Sequence, residues 1–262
     1  MNKKIYLGSN LKMYKTIQET LSFLTELSDL TKDISREEMT LFIIPPFLSL
    51  DRATQQIDQD LIWLGAQNMH WEEQGQFTGE ISPRMLKEVG LKIVMAGHSE
   101  RRHVMGETDF DENKKVLSAL AHDFTALLCI GETGEQKEMG LSDEVLATQL
   151  KIGLHGVDKK DIDRLWIAYE PVWAIGVNGV PASADYADEK HGVIKSVLRD
   201  LYGSDADRIP VLYGGSVNRQ NCEELAEQKN IDGLFIGRAA WNAQPFNEII
   251  RTVLPIFKTK NK

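Results

Sequence analysis

The sequence predicts an α/β protein folded as a closed (β/α)8 barrel. Three observations lead there. Eight short apolar runs alternate with longer segments of helical periodicity. The runs are apolar at adjacent rather than alternate positions, as in strands buried on both faces of a helix-covered parallel sheet. The length of 262 residues suits eight strand–helix units. A doubly wound open sheet would have a similar element count. However, no Gly-x-Gly-x-x-Gly follows the first run, as a dinucleotide-binding fold would need, and no P-loop pattern occurs.

The predicted strands are, in order, Ile5–Ser9, Leu41–Ile44, Ile62–Ala66, Ile93–Ala96, Ala126–Ile130, Leu165–Ala168, Pro210–Leu212 and Gly233–Ile236. Helical spacing follows the first over Thr16–Thr31, where Ile17, Leu21, Leu24 and Leu27 share a face. It recurs over Asn113–His122, Tyr186–Leu201 and Phe246–Phe257. Ser142 is expected to cap a helix over Glu144–Lys151, and Asn218 one over Gln220–Gln228. No stretch rich in Pro, Gly or Ser divides the chain, so residues 1–262 are expected to form one domain.

Composition removes several function classes. The net charge of −9 is spread over mixed acidic and basic residues, which is a solvated surface rather than a basic face for nucleic acid. No run reaches membrane-spanning length. The apolar segment in Met1–Gly8 is too short for a signal peptide. Cys129 and Cys222 make no disulfide framework and read as packed thiols. A cytoplasmic protein is therefore expected.

In such barrels the chemistry sits where strands end. Strand one runs into Asn10 and Lys12, strand four into Gly97-His98-Ser99-Glu100, and strand six into Glu170-Pro171. Strand seven runs into Gly214-Gly215-Ser216 and strand eight into Gly237-Arg238. Glu170 has two readings: a general base for a carbon-bound proton, or a structural carboxylate paired with Arg101 or Arg102. His98 is either a packed histidine or a proton shuttle between two oxygens, because imidazole carries both a donor and an acceptor nitrogen. Lys12 is either a solvated ammonium or one that holds a phosphate and steadies an enediolate oxygen. The glycines after strands seven and eight suit phosphate binding through backbone N–H groups. The segment Pro171–Ala184 is long for a strand–helix connection and contains Gly176, Gly179 and Pro181, which suits a lid. Six histidines occur without metal-ligand spacing, so no metal is expected.

These rim residues resemble the triosephosphate isomerase family along the whole chain. The likeness is carried by Gly8-Ser9-Asn10-Leu11-Lys12-Met13, Gly97-His98-Ser99-Glu100-Arg101-Arg102 and Cys129-Ile130-Gly131-Glu132. Tyr169-Glu170-Pro171-Val172-Trp173, Tyr213-Gly214-Gly215-Ser216 and Gly233-Leu234-Phe235-Ile236-Gly237 complete it. The resemblance implies a TIM barrel in which Glu170 is the base and His98 the neutral electrophile. It implies Lys12 and Asn10 at the substrate oxygens, with Glu100 a buried carboxylate beside the lysine. Gly176, Ser216 and Gly237 would supply the phosphate-binding backbone. The segment Gln67–Ser82 would be a loop entering the partner of a homodimer, with Thr78 near the partner's active site. A sugar-phosphate substrate, no cofactor and no metal are implied.

The chain departs from the family pattern in three places. Leu11-Lys12-Met13-Tyr14 stands where Trp-Lys-Met-Asn is usual. The segment Val177-Asn178-Gly179-Val180-Pro181-Ala182-Ser183 lacks the usual lysine and is one residue longer. Gly237 is followed by Arg238 rather than a second glycine, which could add a phosphate contact or point outward. These departures resemble the tetrulose-phosphate isomerase branch, as do Gln67-Asn68-Met69-His70-Trp71 and Gly237-Arg238-Ala239-Ala240-Trp241-Asn242. That branch implies interconversion of L-erythrulose 1-phosphate and D-erythrose 4-phosphate in erythritol breakdown. Three alternatives stay open: isomerisation of the triose phosphates, a silent barrel that only binds a sugar phosphate, and a metal-dependent aldolase.

Overall fold

The structure is a computed structural model that describes residues 4–176 and 179–260. Eight strands close into an all-parallel barrel in sequence order, β1 pairing with both β2 and β8. The strands are β1 (Ile5–Asn10), β2 (Met39–Ile44), β3 (Trp63–Ala66), β4 (Ile93–Ala96), β5 (Thr125–Ile130), β6 (Leu165–Tyr169), β7 (Val211–Tyr213) and β8 (Gly233–Ile236). Each lies within two residues of its sequence-predicted bounds.

Ten α-helices surround them among the described residues: α1 (Ile17–Thr31), α2 (Phe47–Gln56), α3 (Pro83–Val89), α4 (Ser99–His103), α5 (Asp109–Ala121), α6 (Gly134–Glu138), α7 (Ser142–Gly153), α8 (Ala184–Tyr202), α9 (Cys222–Glu227) and α10 (Ala243–Lys260). Thr16 and Glu19 form a reciprocal capping box at the start of α1. Two expected caps are corrected. Ser142 is the first residue inside α7, and its hydroxyl meets the Tyr186 hydroxyl at 3.1 Å. The Asn218 side chain accepts from the N–H groups of Gln220 and Asn221, closing a turn so that α9 begins only at Cys222. No described helix is long and apolar enough to cross a membrane.

Two apolar layers explain the continuous apolar runs. Residues pointing outward from the strands, such as Leu7, Leu41 and Leu128, pack against the helices. Residues pointing inward fill the barrel: Phe42, Ile44, Ile93, Met95, Leu127, Cys129, Trp166, Ala168, Leu212 and Phe235. Inside, Trp166 packs against Tyr6, Phe42 and Trp63, with ring centroids 4.7 to 5.5 Å apart. Both cysteines are buried free thiols, as expected.

Gly8 makes room for this filling, because a Cβ there would lie 2.2 Å from the Phe42 ring. Gly8→Ala is expected to cost about 1–3 kcal/mol, the usual scale of overpacking. A Phe42→Leu change in the same chain should recover part of that loss in chemical denaturation. A second expectation concerns His191 on α8, whose Nδ1 bonds the Ala187 carbonyl oxygen while Nε2 is buried without a partner. Burial pushes its pKa down to about 4 from the ordinary 6.5. The unfolded chain therefore takes up this proton first, and stability falls as pH drops from 6.5 towards 4. Wild type should lose on the order of 3 kcal/mol across that window that His191→Gln retains, read from urea midpoints.

Candidate active site

Strand pleating decides what enters the barrel mouth, because alternate side chains share a face. In β6 the inward residues are Trp166 and Ala168, so Glu170 follows on the same face. By the same parity Gly8 leads to Asn10, Leu212 to Gly214, and Phe235 to Gly237. These four line a cavity of about 490 Å³ at the strands' C-terminal rim. Lys12, His98, Glu100, Gly176, Ser216 and Arg238 line it too. His70 and His103 do not, in keeping with their places further along their loops.

His98 is aimed by the turn before it. Gly97 adopts φ 75°, in the left-handed region that favours glycine. The Arg102 guanidinium donates to the carbonyl oxygens of Gly97 at 2.7 Å and Cys129 at 3.1 Å, fastening the ends of β4 and β5. His98 then caps α4, its Nδ1 accepting from the Glu100 N–H at 3.2 Å. That bond needs a lone pair on Nδ1, so the ring proton sits on Nε2. Nε2 faces Glu170 Oε1 at 3.7 Å, with both side chains only 4% exposed.

Glu170 is not consumed by a structural ion pair. Arg101 pairs with Glu107 and Arg102 with Asp109. The backbone N–H of Glu170 donates to the Ile130 carbonyl at 2.7 Å, while its buried Oε2 has no hydrogen-bond partner. A buried carboxylate oxygen left bare in this way is costly unless something else arrives to use it.

Lys12 stands at φ 51°, unusual for a residue with a side chain. Its backbone N–H donates to Asn10 Oδ1 at 2.8 Å, and its Nζ to Glu100 Oε1 at 2.8 Å. Glu100, expected to be buried, is instead 52% exposed. It sits in the first turn of α4 on the wall of an open cavity, with its carboxylate turned to Lys12 rather than packed under the loop. The amide of Gln67 donates to the Lys12 carbonyl at 2.6 Å and to Asn10 Oδ1 at 3.3 Å. Gln67 thus supports the site of its own chain, while Thr78 lies exposed in the loop beyond.

At the other end of the cavity, Gly237 precedes a 3-10 turn over Arg238–Ala240, and Arg238 is exposed at the rim. The Ser216 carbonyl accepts from the Asn221 amide at 2.8 Å, which fixes the turn after β7. Of the segment expected to be a lid, Val177 and Asn178 lie outside the described residues. Its near end is tied down by Glu132, a residue that sequence reasoning quoted but gave no role. This fully buried carboxylate accepts from the hydroxyls of Tyr169 and Tyr186 and from Trp173 Nε1 at 2.8 to 3.1 Å. The available signal was an acid two residues past a buried strand, with tyrosines and a tryptophan elsewhere to satisfy it. Among the described residues no group of three His, Cys, Asp or Glu side chains is arranged to hold a metal ion.

A family model described as triosephosphate isomerase matches residues 5–253. The chain belongs to the triosephosphate isomerase family. It is 46% identical to the L-erythrulose-1-phosphate isomerase of Rhizobium etli over 95% of this chain and 92% of that one. The enzyme of the same name from Rhizobium meliloti is 45% identical, with 95% and 96% covered. The triosephosphate isomerase of Dictyoglomus thermophilum is 42% identical, with 96% and 100% covered. Like these relatives, the chain is an isomerase. In this member of the triosephosphate isomerase family, the imidazole and carboxylate stand beside one another with an ammonium on the same cavity wall.

The tautomer of His98 is open to direct measurement. Nitrogen-15 NMR at neutral pH should find its Nδ1 unprotonated and its Nε2 bearing hydrogen. A proton on Nδ1 would contradict the capping geometry.

Proposed function

We propose that this isomerase acts on L-erythrulose 1-phosphate by moving a proton between neighbouring carbons through an enediolate. The observation that carries the reading is the cavity in which His98 Nε2 and Glu170 Oε1 lie 3.7 Å apart beside Lys12, with small residues at the opposite end. Glu170 takes the proton from C3 of the ketose. His98 donates from Nε2 to the C2 oxygen and recovers a proton from the C3 hydroxyl. Lys12 and Asn10 steady the negative charge on those oxygens. Glu170 then returns its proton to C2. The backbone at Gly176, Ser216 and Gly237 receives the phosphate, and the exposed Arg238 adds a cation at that end. No metal or cofactor takes part in these steps.

The atom balance fixes what one turnover makes. Moving the proton from C3 to C2 carries the ketone from C2 to C3, so the phosphate now sits on C4 counted from the other end. The conversion to D-erythrose 4-phosphate expected from the sequence comprises two such shifts, the second between C3 and C4.

The tetrulose is favoured over the triose because both rhizobial relatives, at 45–46% identity, bear its name. The departures at Tyr14 and Arg238 both fall on the cavity wall, where a longer substrate would feel them. The protein works as a homodimer in the cytoplasm, as one domain over residues 1–262. The dimer is supported by an exposed loop carrying Phe77 and Thr78 and by Met13, Met85, Val104 and Met105, all large apolar groups open to solvent in the single chain.

Two measurements test this reading. Glu170→Asp should lower kcat on the order of a hundredfold while the protein stays folded, since withdrawing the carboxylate by one methylene spoils its reach. Wild-type kcat/KM should be higher for L-erythrulose 1-phosphate than for glyceraldehyde 3-phosphate. The opposite ranking would assign the chain to triose chemistry, and turnover of neither would leave only binding.

A further inference from the structure

The seam where the barrel closes carries a contact with no part in the roles above. The β1–β8 register runs from Tyr6↔Gly233 to Ser9↔Ile236. One residue further, Asn10 has passed the end of β8, and its carbonyl oxygen has lost the ladder. A side chain takes over: Trp241 Nε1 donates to that oxygen at 2.9 Å across 231 residues of sequence. Asn10 is only 5% exposed, so this carbonyl has little access to water as a substitute donor.

What hangs on Asn10 is the lysine. Asn10 Oδ1 receives the Lys12 N–H and the Gln67 amide, and that amide also holds the Lys12 carbonyl. Lys12 needs this holding because its left-handed backbone is one that a residue with a side chain adopts only when its surroundings enforce it. The Trp241 ring also packs against Tyr14, centroids 4.4 Å apart, and both rings line the cavity.

We propose that Trp241 is a positioning residue for the isomerisation: its indole N–H fixes Asn10 and, through Asn10, sets where the Lys12 ammonium stands in the cavity. The inference rests on the reading of Lys12 and Asn10 as ligands of the substrate oxygens. Trp241 makes its mark through them rather than by proton transfer of its own.

The test removes the donor and keeps the ring. Trp241→Phe retains an aromatic partner for Tyr14 and loses the N–H. The expected result is a fall in kcat of roughly tenfold to a hundredfold with KM unchanged, as for loss of alignment in the transition state. The Lys12 amide should also exchange its hydrogen roughly tenfold faster. If the phenylalanine variant does not fold, benzothienylalanine placed at 241 by nonsense suppression keeps the indole shape with sulfur in place of N–H, and the same two results are expected. A folded variant with unchanged kcat and unchanged Lys12 exchange overturns the inference. So does one whose KM rises while kcat holds. A wild-type protein that turns over neither sugar phosphate would instead defeat the functional reading, and the exchange rate of Lys12 would still decide whether Trp241 holds it.

Discussion

Closure of an all-parallel sheet is the constraint on which the rest depends. Eight strands running the same way bring all their carboxyl ends to one rim, and closure leaves no edge where the sheet could slip. Because side chains alternate, each strand then offers a single inward position at the mouth. Asn10, Glu170, Gly214 and Gly237 take those positions on four different strands. The inward apolar layer beneath them, with Phe42 over Gly8 and Trp166 against Tyr6, Phe42 and Trp63, forms a close-packed floor.

Above that floor, polar groups are either tied to the backbone or left ready for a ligand. His98 spends its Nδ1 on the Glu100 N–H, and Arg102 spends its guanidinium on two strand-end carbonyls and Asp109. Glu132 spends its carboxylate on the hydroxyls of Tyr169 and Tyr186 and the Trp173 indole. Glu170 is the contrast, since its Oε2 is buried and unmatched. The Lys12 ammonium, paired among the described residues with the half-exposed Glu100, is the group that the proposed chemistry offers to the substrate oxygens. The surrounding groups are thus held by the protein while Glu170 Oε2 is left without a partner, the preorganisation that the proposed chemistry calls for.

Much of this was legible in the chain. Eight runs such as Leu41–Ile44 and Ala126–Ile130 announced doubly buried strands, and the rule that chemistry follows strand ends picked out Lys12, His98 and Glu170. The caps were harder. Ser142 and Asn218 are ordinary capping residues by type, but tertiary partners and a competing turn took their side chains. Glu100 looked buried by likeness, yet exposure depends on the open cavity around it. The Asn10–Trp241 bond left no local trace, because the partners are 231 residues apart and meet only when the sheet closes. The value of Gln67 to its own chain was hidden for the same reason.

That last bond bears on how the polypeptide leaves the ribosome. Strand β8 and the tryptophan that follows it are synthesised well after β1, yet they complete the surroundings of the residues that follow that first strand. Until the segment through Trp241 clears the exit tunnel, the first strand lacks one neighbour and the Asn10 carbonyl lacks its indole donor. Lys12, His98 and Glu170 all precede β8 in the chain, so the barrel whose rim carries them can close only once that strand is available to pair with β1.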